Sequence, residues 1–308
     1  MRIGINASGL LARPDVTALV GDAVANESKG FSSWWLAQTG MIDSLSLLAL
    51  AGQATSEIEL GTAVVPTWTR HPETMAAAAL TTQAASGGRL VVGIGLAHQF
   101  TVEEWWGMKW ERPVKHMSEY LAILDSLLES GTASLQGEVW TLEREAPIPA
   151  ADGQSAGKPL VMLAALGEQM LKMAGKRSDG TILWCVGPKT LADQIVPIID
   201  AAADEAGRPT PRKVCSLPVC VTDDPQPTRD FLGQMLADYA NLPSYRAMLD
   251  IEGVHGLGEL SLVGPEDEVR AGLDAIGAAG ATDFTAVVIG DANGTDRTLD
   301  LLQAYGSA

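Results

Sequence analysis

Apolar positions along this chain fall into two alternating patterns: short, nearly unbroken runs, and longer stretches where they recur every third or fourth residue. The runs at 2–6, 33–37, 59–65, 89–94, 160–164, 181–185, 214–221 and 284–289 predict strands buried on both faces. Helical spacing between them predicts helices at 15–28, 45–54, 73–85, 114–128, 191–205, 266–279 and 297–305, and one more running through Met173. The first shows the logic: Val16, Leu19, Val20, Ala23 and Val24 share a face, and Gly30 follows. A helical excursion is predicted at 230–249, a short extra strand at 138–142, and a Pro/Ala/Gly-rich loop after it.

Strands alternating with helices predict an α/β protein whose parallel sheet closes as a single (β/α)8 barrel over residues 1–308, with insertions after strands four and seven. A doubly wound sheet fits less well, because no G-x-G-x-x-G follows the first strand and no linker divides the chain. In such a barrel, chemistry sits on the loops after the C-terminal ends of the strands.

Lys and Arg number 21 against 38 Asp and Glu, a formal charge of −17, which argues against nucleic acid or an anionic membrane as partner. Any anionic ligand must then be held locally, by amides and a few basic side chains. Cys185, Cys215 and Cys220 lack zinc-finger or C-x-x-C spacing and read as buried free thiols. The opening "MRIGINASG" starts on a strand without a secretory h-region, so a soluble cytoplasmic protein is expected.

Several strand ends gather ligand-type residues. In "GTAVVPTWTRHPE" a β-branched strand stops at Pro66, and Thr67, Trp68, Arg70 and His71 follow; the last two read as structural groups that satisfy strand-end carbonyls. His98 follows strand four at "GIGLAH", where an imidazole can pass a proton near neutral pH. Ala164-Ala165-Leu166-Gly167 and Gly187-Pro188-Lys189-Thr190 each immediately precede a helix, where backbone amides can face an anion. Glu168 is awkward there unless it points outward. Trp105, Trp106 and Trp110, with Met108, form either an aromatic lid that Trp68 and Trp35 join, or a dimer surface. His116 reads as packing or solvated, His255 has a weak claim, and "EVWTLERE" reads as a solvated face. No nucleophile elbow, H-E-x-x-H or P-loop is present, so serine hydrolysis and zinc chemistry are poorly supported and no metal is expected.

The segments "GTAVVPTWTRHPETMAAAALTTQAASGGRLVVGIGL", "LVMLAALGEQMLKMAGKRSDGTILW" and "GLGELSLVGPEDEVRAGLDAIGAAGATDF" resemble, in order, successive βα units of the luciferase-like monooxygenase superfamily. "RPVKHMSEYL" and "LPSYRAMLDIEGV" are similar to its coenzyme F420 branch. The resemblance implies a non-proline cis peptide at Ala63–Val64, behind a deazaflavin ring. It further implies a cofactor set of Gln38, Thr39, Ala63, Val64, Thr67, Gly95, Ala164, Ala165, Gly167, Gly187 and Lys189, with Thr67 and Trp68 facing the pocket. Many relatives carry Asp-His at the positions of Gln38 and Thr39, and a related branch carries Glu at His98. Thr39 cannot do a histidine's proton work, so His98 is the expected proton donor. The implied activity is hydride transfer between F420 and an unsaturated or carbonyl-bearing small organic substrate, in a homodimer. An FMN-dependent monooxygenase and a cofactor-binding protein without robust turnover are the alternatives.

Overall fold

Strands apolar on both faces must satisfy their backbone groups through one another, and here they do so by closing a ring. A computed structural model describes residues 1–12, 14–147 and 156–307. Among these, the ring is built from β1 (Arg2–Asn6), β2 (Ser33–Leu36), β3 (Glu59–Thr62), β4 (Leu90–Gly95), β5 (Leu160–Ala164), β6 (Gly180–Trp184), β7 (Arg212–Val221) and β8 (Asp283–Val288). Each pairs in parallel with the next, and β8 returns to β1 with Arg2 opposite Asp283 and Ile5 opposite Ala286. The expected (β/α)8 barrel is the observed one.

Helices α1 (Val16–Ser28), α2 (Ser44–Ala54), α3 (Pro72–Ala85), α4 (Pro113–Ser130), α5 (Glu168–Arg177), α6 (Val196–Glu205), α7 (Glu266–Ala278) and α8 (Ala292–Gly306) alternate with these strands. Asp15, Asp43 and Asp291 each accept a first-turn amide, which fixes where α1, α2 and α8 begin. The main core lies between strands and helices. A second, smaller core of Trp35, Val91, Met162, Ile182 and Val214 fills the barrel interior. Trp35 fits because Gly61 has no side chain: a Cβ there would run into the indole ring.

The two insertions carry most of the departures from regular alternation. After β4 come a π-turn (Thr101–Trp105), α4, and a hairpin of Ala133–Gln136 with Thr141–Arg144. The single extra strand expected at 138–142 is instead the turn and second arm of this hairpin. Its cause is Glu119, whose carboxylate accepts the amides of Glu138, Val139 and Trp140 at 2.8–2.9 Å and bends the chain there. The loop that follows falls largely on residues 148–155, outside the described residues. After β7 come helices Pro225–Met235, Ala237–Asn241, Pro243–Glu252 and Leu257–Leu260. The chain then returns at Leu262–Gly264, which pairs with the end of β7, Val221 opposite Gly264. Among the described residues, no helix is long and apolar enough to cross a membrane.

Candidate active site at the C-terminal mouth

At the end of β3 the sheet ladder is interrupted. Pairing with β4 stops at Gly61 and resumes at Val65–Pro66, and the peptide between Ala63 and Val64 is cis, as the family resemblance implied. The Thr62 hydroxyl bridges the gap: it accepts the Gly93 amide and donates to the Gly93 carbonyl, both at 2.8 Å. On the other side, Ala63 donates its amide to Leu36 and Gln38 donates its amide to the Val64 carbonyl. Gly95 is required beside the bulge, because a Cβ would come within 2.7 Å of Val64 Cγ2. Ala63 and Val64 pack on the interior core yet stay half-buried, so they form an apolar floor open to the mouth.

The loop after β2 is built differently from its expected role. Gln38 donates its side-chain amide to the Ile42 carbonyl and accepts the Ser44 amide, so that group clamps the entry of α2. Thr39 is exposed, and the loop is tied across to Arg70, which pairs with Asp43. His71 caps α3, its Nδ1 accepting the Glu73 amide at 3.2 Å. Arg70 and His71 are structural groups, as read from sequence, although their partners are a carboxylate and a helix amide rather than strand-end carbonyls.

Thr67 does not face the pocket. It is fully buried, its hydroxyl reaching the Gly95 carbonyl and, at 3.0 Å, Nε2 of His116. The His116 ring stacks on Trp68 at 4.0 Å and meets Tyr120 and Trp140. Burial drives its pKa down to about 4, with Glu119 opposing in part. Nδ1 of His116 and Nε1 of Trp68 and of Trp140 are enclosed without partners among the described residues. Trp110 joins this nest at 5.5 Å from Trp68, whereas Trp35 sits inside the barrel and Trp105 is exposed against Phe100. The tryptophans expected as a lid or a dimer surface are therefore divided among three places.

His98 is half-buried beside Ala97, whose φ of +60° turns the chain after β4. Its ring stacks on Phe100 at 5.9 Å and meets Tyr239 at 5.4 Å and Tyr245 at 6.1 Å, both on the excursion after β7. Burial lowers the His98 pKa, so the imidazole is neutral at neutral pH. Burial raises both phenols, and neighbouring Cys185 raises them further. All three cysteines are buried free thiols, as expected.

The two anion loops diverge. Ala164 is half-buried, Ala165 is buried, and Gly167 is exposed, heading α5 without a side-chain cap and with open space around its Cα. Glu168 points outward to Lys172 at 2.6 Å, which removes the repulsion feared from sequence. At Gly187 the geometry is closed. Glu252 accepts the Thr190 amide at 2.7 Å and the Lys189 amide at 3.4 Å, and Lys189 Nζ donates to the Glu252 carbonyl at 2.7 Å. The anion held by this helix start is the protein's own carboxylate, which is why Gly187 and Lys189 do not face an open cradle. Gly187 is buried beneath it, because a Cβ would meet the Glu252 carboxyl.

Sequence reasoning missed Glu252, Glu119, Tyr239 and Tyr245. It missed too the network in which Asn6 donates to Ser216 at 3.0 Å and accepts from Ser8, locking the end of β1. The only available signal was the pair of tyrosines flanking Pro243 in "DYANLPSYR", on the insertion facing His98. Among the described residues, no three His, Cys, Asp or Glu side chains converge as a metal site.

The sequence model of the luciferase-like monooxygenase family matches residues 1–283. An uncharacterized protein of Mycobacterium tuberculosis is 31% identical over 258 residues, 80% of this chain and 75% of that protein. A 5,10-methylenetetrahydromethanopterin reductase of Methanolobus tindarius is 29% identical over 183 residues, 59% of this chain and 54% of that protein. Among solved structures, the coenzyme F420 dependent tetrahydromethanopterin reductase of Methanopyrus kandleri superposes with a TM-score of 0.81, at 20% identity, over 98% of this chain and 97% of that one. The oxygenating constituent of 3,6-diketocamphane monooxygenase from Pseudomonas putida, solved with FMN, superposes with a TM-score of 0.78, at 16% identity, over 98% and 96%. At these identities the structural likenesses carry the fold alone.

Proposed function

The chain belongs to the luciferase-like monooxygenase family, and from that premise we propose an oxidoreductase that binds coenzyme F420 at the barrel mouth and uses it on a small carbonyl-bearing or unsaturated organic substrate. The observation that carries this reading is one of order. The apolar floor, the neutral imidazole and the uncapped helix start lie at the ends of β3, β4 and β5, three consecutive neighbours in the ring. The residues fit the cofactor: Ala63 and Val64 offer an apolar backing for a flat ring, and first-turn amides of α5 lack protein acceptors among the described residues.

When bound, F420 supplies the hydride; the rest is the chain's work. The backbone of Gln38 holds the bulge from one side and Thr62 holds it from the other. Gly167, with Ala164 and Ala165, would hold the phosphate end. Gly187 and Lys189 act through their clasp on Glu252 rather than by touching phosphate. His98, neutral and half-buried, hands a proton between solvent and the reacting oxygen or carbon. The reductase names among relatives support F420, while the FMN-bound neighbour keeps FMN as the competitor. The reading retains a homodimer in the cytoplasm, without nucleic-acid or membrane partners.

Titration of the purified chain with F420 and with FMN, followed by tryptophan quenching and visible absorbance, tests this. F420 binding, weakened at least tenfold by Gly167→Trp, is the expected result. Binding of FMN alone would move the protein to the monooxygenase reading. F420 binding with no reduction of any acceptor would leave a binding protein without turnover.

A further inference from the structure

We propose that His98, Tyr239 and Tyr245 form a substrate subsite that selects uncharged, flat carbonyl compounds over carboxylates and phosphates. The inference rests on the oxidoreductase reading and gives it a substrate class. Three observations meet here. First, the rings come from opposite insertions: His98 and Phe100 follow β4, while Tyr239 and Tyr245 lie on the excursion after β7. In the closed ring, β5 and β6 lie between those strands, so the aromatic contact spans one side of the mouth. Second, the His98 and Tyr239 rings are half-buried and keep faces and edges to offer, while Tyr245 is buried with the main core. Tyr239 stands perpendicular to Tyr245 at 5.4 Å and to His98 at 5.4 Å, an L-shaped corner that suits stacking of one planar group.

Third, the corner is polar but uncharged. Among the described residues, neither phenol nor the His98 ring has a side-chain hydrogen bond, and no guanidinium or ammonium lies over these rings. Burial keeps the imidazole neutral and the phenols protonated. A site made of neutral hydrogen-bond donors can satisfy a carbonyl oxygen. It gives a carboxylate nothing to offset the loss of its hydration, within a chain of net charge −17. The same free donors reject a hydrocarbon analogue, which would leave them unpaired.

The test is ligand-observed NMR on the protein without cofactor, using acetophenone carrying a 13C carbonyl, with benzoate and ethylbenzene as comparators. Acetophenone is expected to bind at least tenfold tighter than either, with a downfield carbonyl shift reporting the donated hydrogen bond. Tyr239→Phe and Tyr245→Phe keep the rings; at least one should weaken acetophenone roughly 3- to 10-fold and reduce the carbonyl shift, the effect of losing one neutral donor. Equal binding of the three probes, or acetophenone binding and carbonyl shift unchanged in both variants, overturns the subsite. F420 titration of the same samples separates the two ideas. Loss of F420 binding with the acetophenone preference intact refutes the cofactor reading, and the reverse refutes only the subsite.

Discussion

Acid should loosen this protein through one ring, His116. Buried against Trp68, Tyr120 and Trp140, it has a pKa pushed from the ordinary 6.5 to about 4. Above pH 6.5 the ring is neutral in folded and unfolded chains alike and adds no pH dependence. Below 6.5 the unfolded chain takes up a proton that the folded chain refuses, so stability falls. The loss is complete near pH 4, where the folded ring protonates as well. At about 1.4 kcal/mol per pH unit, the interval amounts to roughly 3 kcal/mol. His116→Phe keeps a ring on Trp68 but cannot take a proton. It forfeits the Thr67 hydrogen bond, worth about 1 kcal/mol at pH 7. Urea unfolding of both proteins at pH 7 and pH 4, followed by tryptophan emission, gives the comparison. The parent should lose roughly 3 kcal/mol more than the variant between the two pH values. Equal losses would refute the assignment of that acid sensitivity to His116.

Three further outcomes are expected. Glu252→Ala removes the acceptor for the Thr190 and Lys189 amides and should cost roughly 2–4 kcal/mol, while Glu252→Gln costs less; amide exchange at Thr190 reads it directly. Gly61→Ala sets a methyl against the Trp35 ring and should lower the thermal midpoint by several degrees, with a changed near-UV tryptophan signal; an unaltered midpoint would contradict the interior packing. Glu119 is raised by burial but held at about 2 by the amides of Trp140, Glu138 and Val139, so its hold on the hairpin is complete above about pH 4.5 and lost as pH falls toward 2. Protection of the Val139 and Trp140 amides should follow that profile in the parent and be weak at every pH in Glu119→Ala.

Much of the fold was legible because strand and helix signals are local. Asp15 and Asp43 cap helices within a residue of the expected starts, whereas Asp291 starts α8 at Ala292, ahead of the expected 297; every barrel strand lies on a predicted apolar run. The bulge was legible through family resemblance; composition alone offers only a strand stopped by proline. What escaped depends on distant partners. Nothing near Gly187 announces that Glu252, 62–65 residues later by the contacts it makes, will seat its carboxylate on that turn. Thr67 reads as a pocket residue until His116 arrives from α4 to claim its hydroxyl. Gln38 looked free for a ring until Ser44 used it.

The return of the chain at Leu262–Gly264 bears on how such a protein diversifies. Because Gly264 pairs with Val221, the excursion begins and ends at facing points of two neighbouring strands, like a loop pinched shut at its base. Lengthening a segment whose ends are already held together adds little closure entropy, about 0.6 kcal/mol per doubling. The stretch bearing Tyr239 and Tyr245 is in that sense a cassette. Natural variation or a designer can exchange its exposed parts with the β3–β5 ends untouched, provided that Glu252 keeps its hold on Lys189 and Thr190.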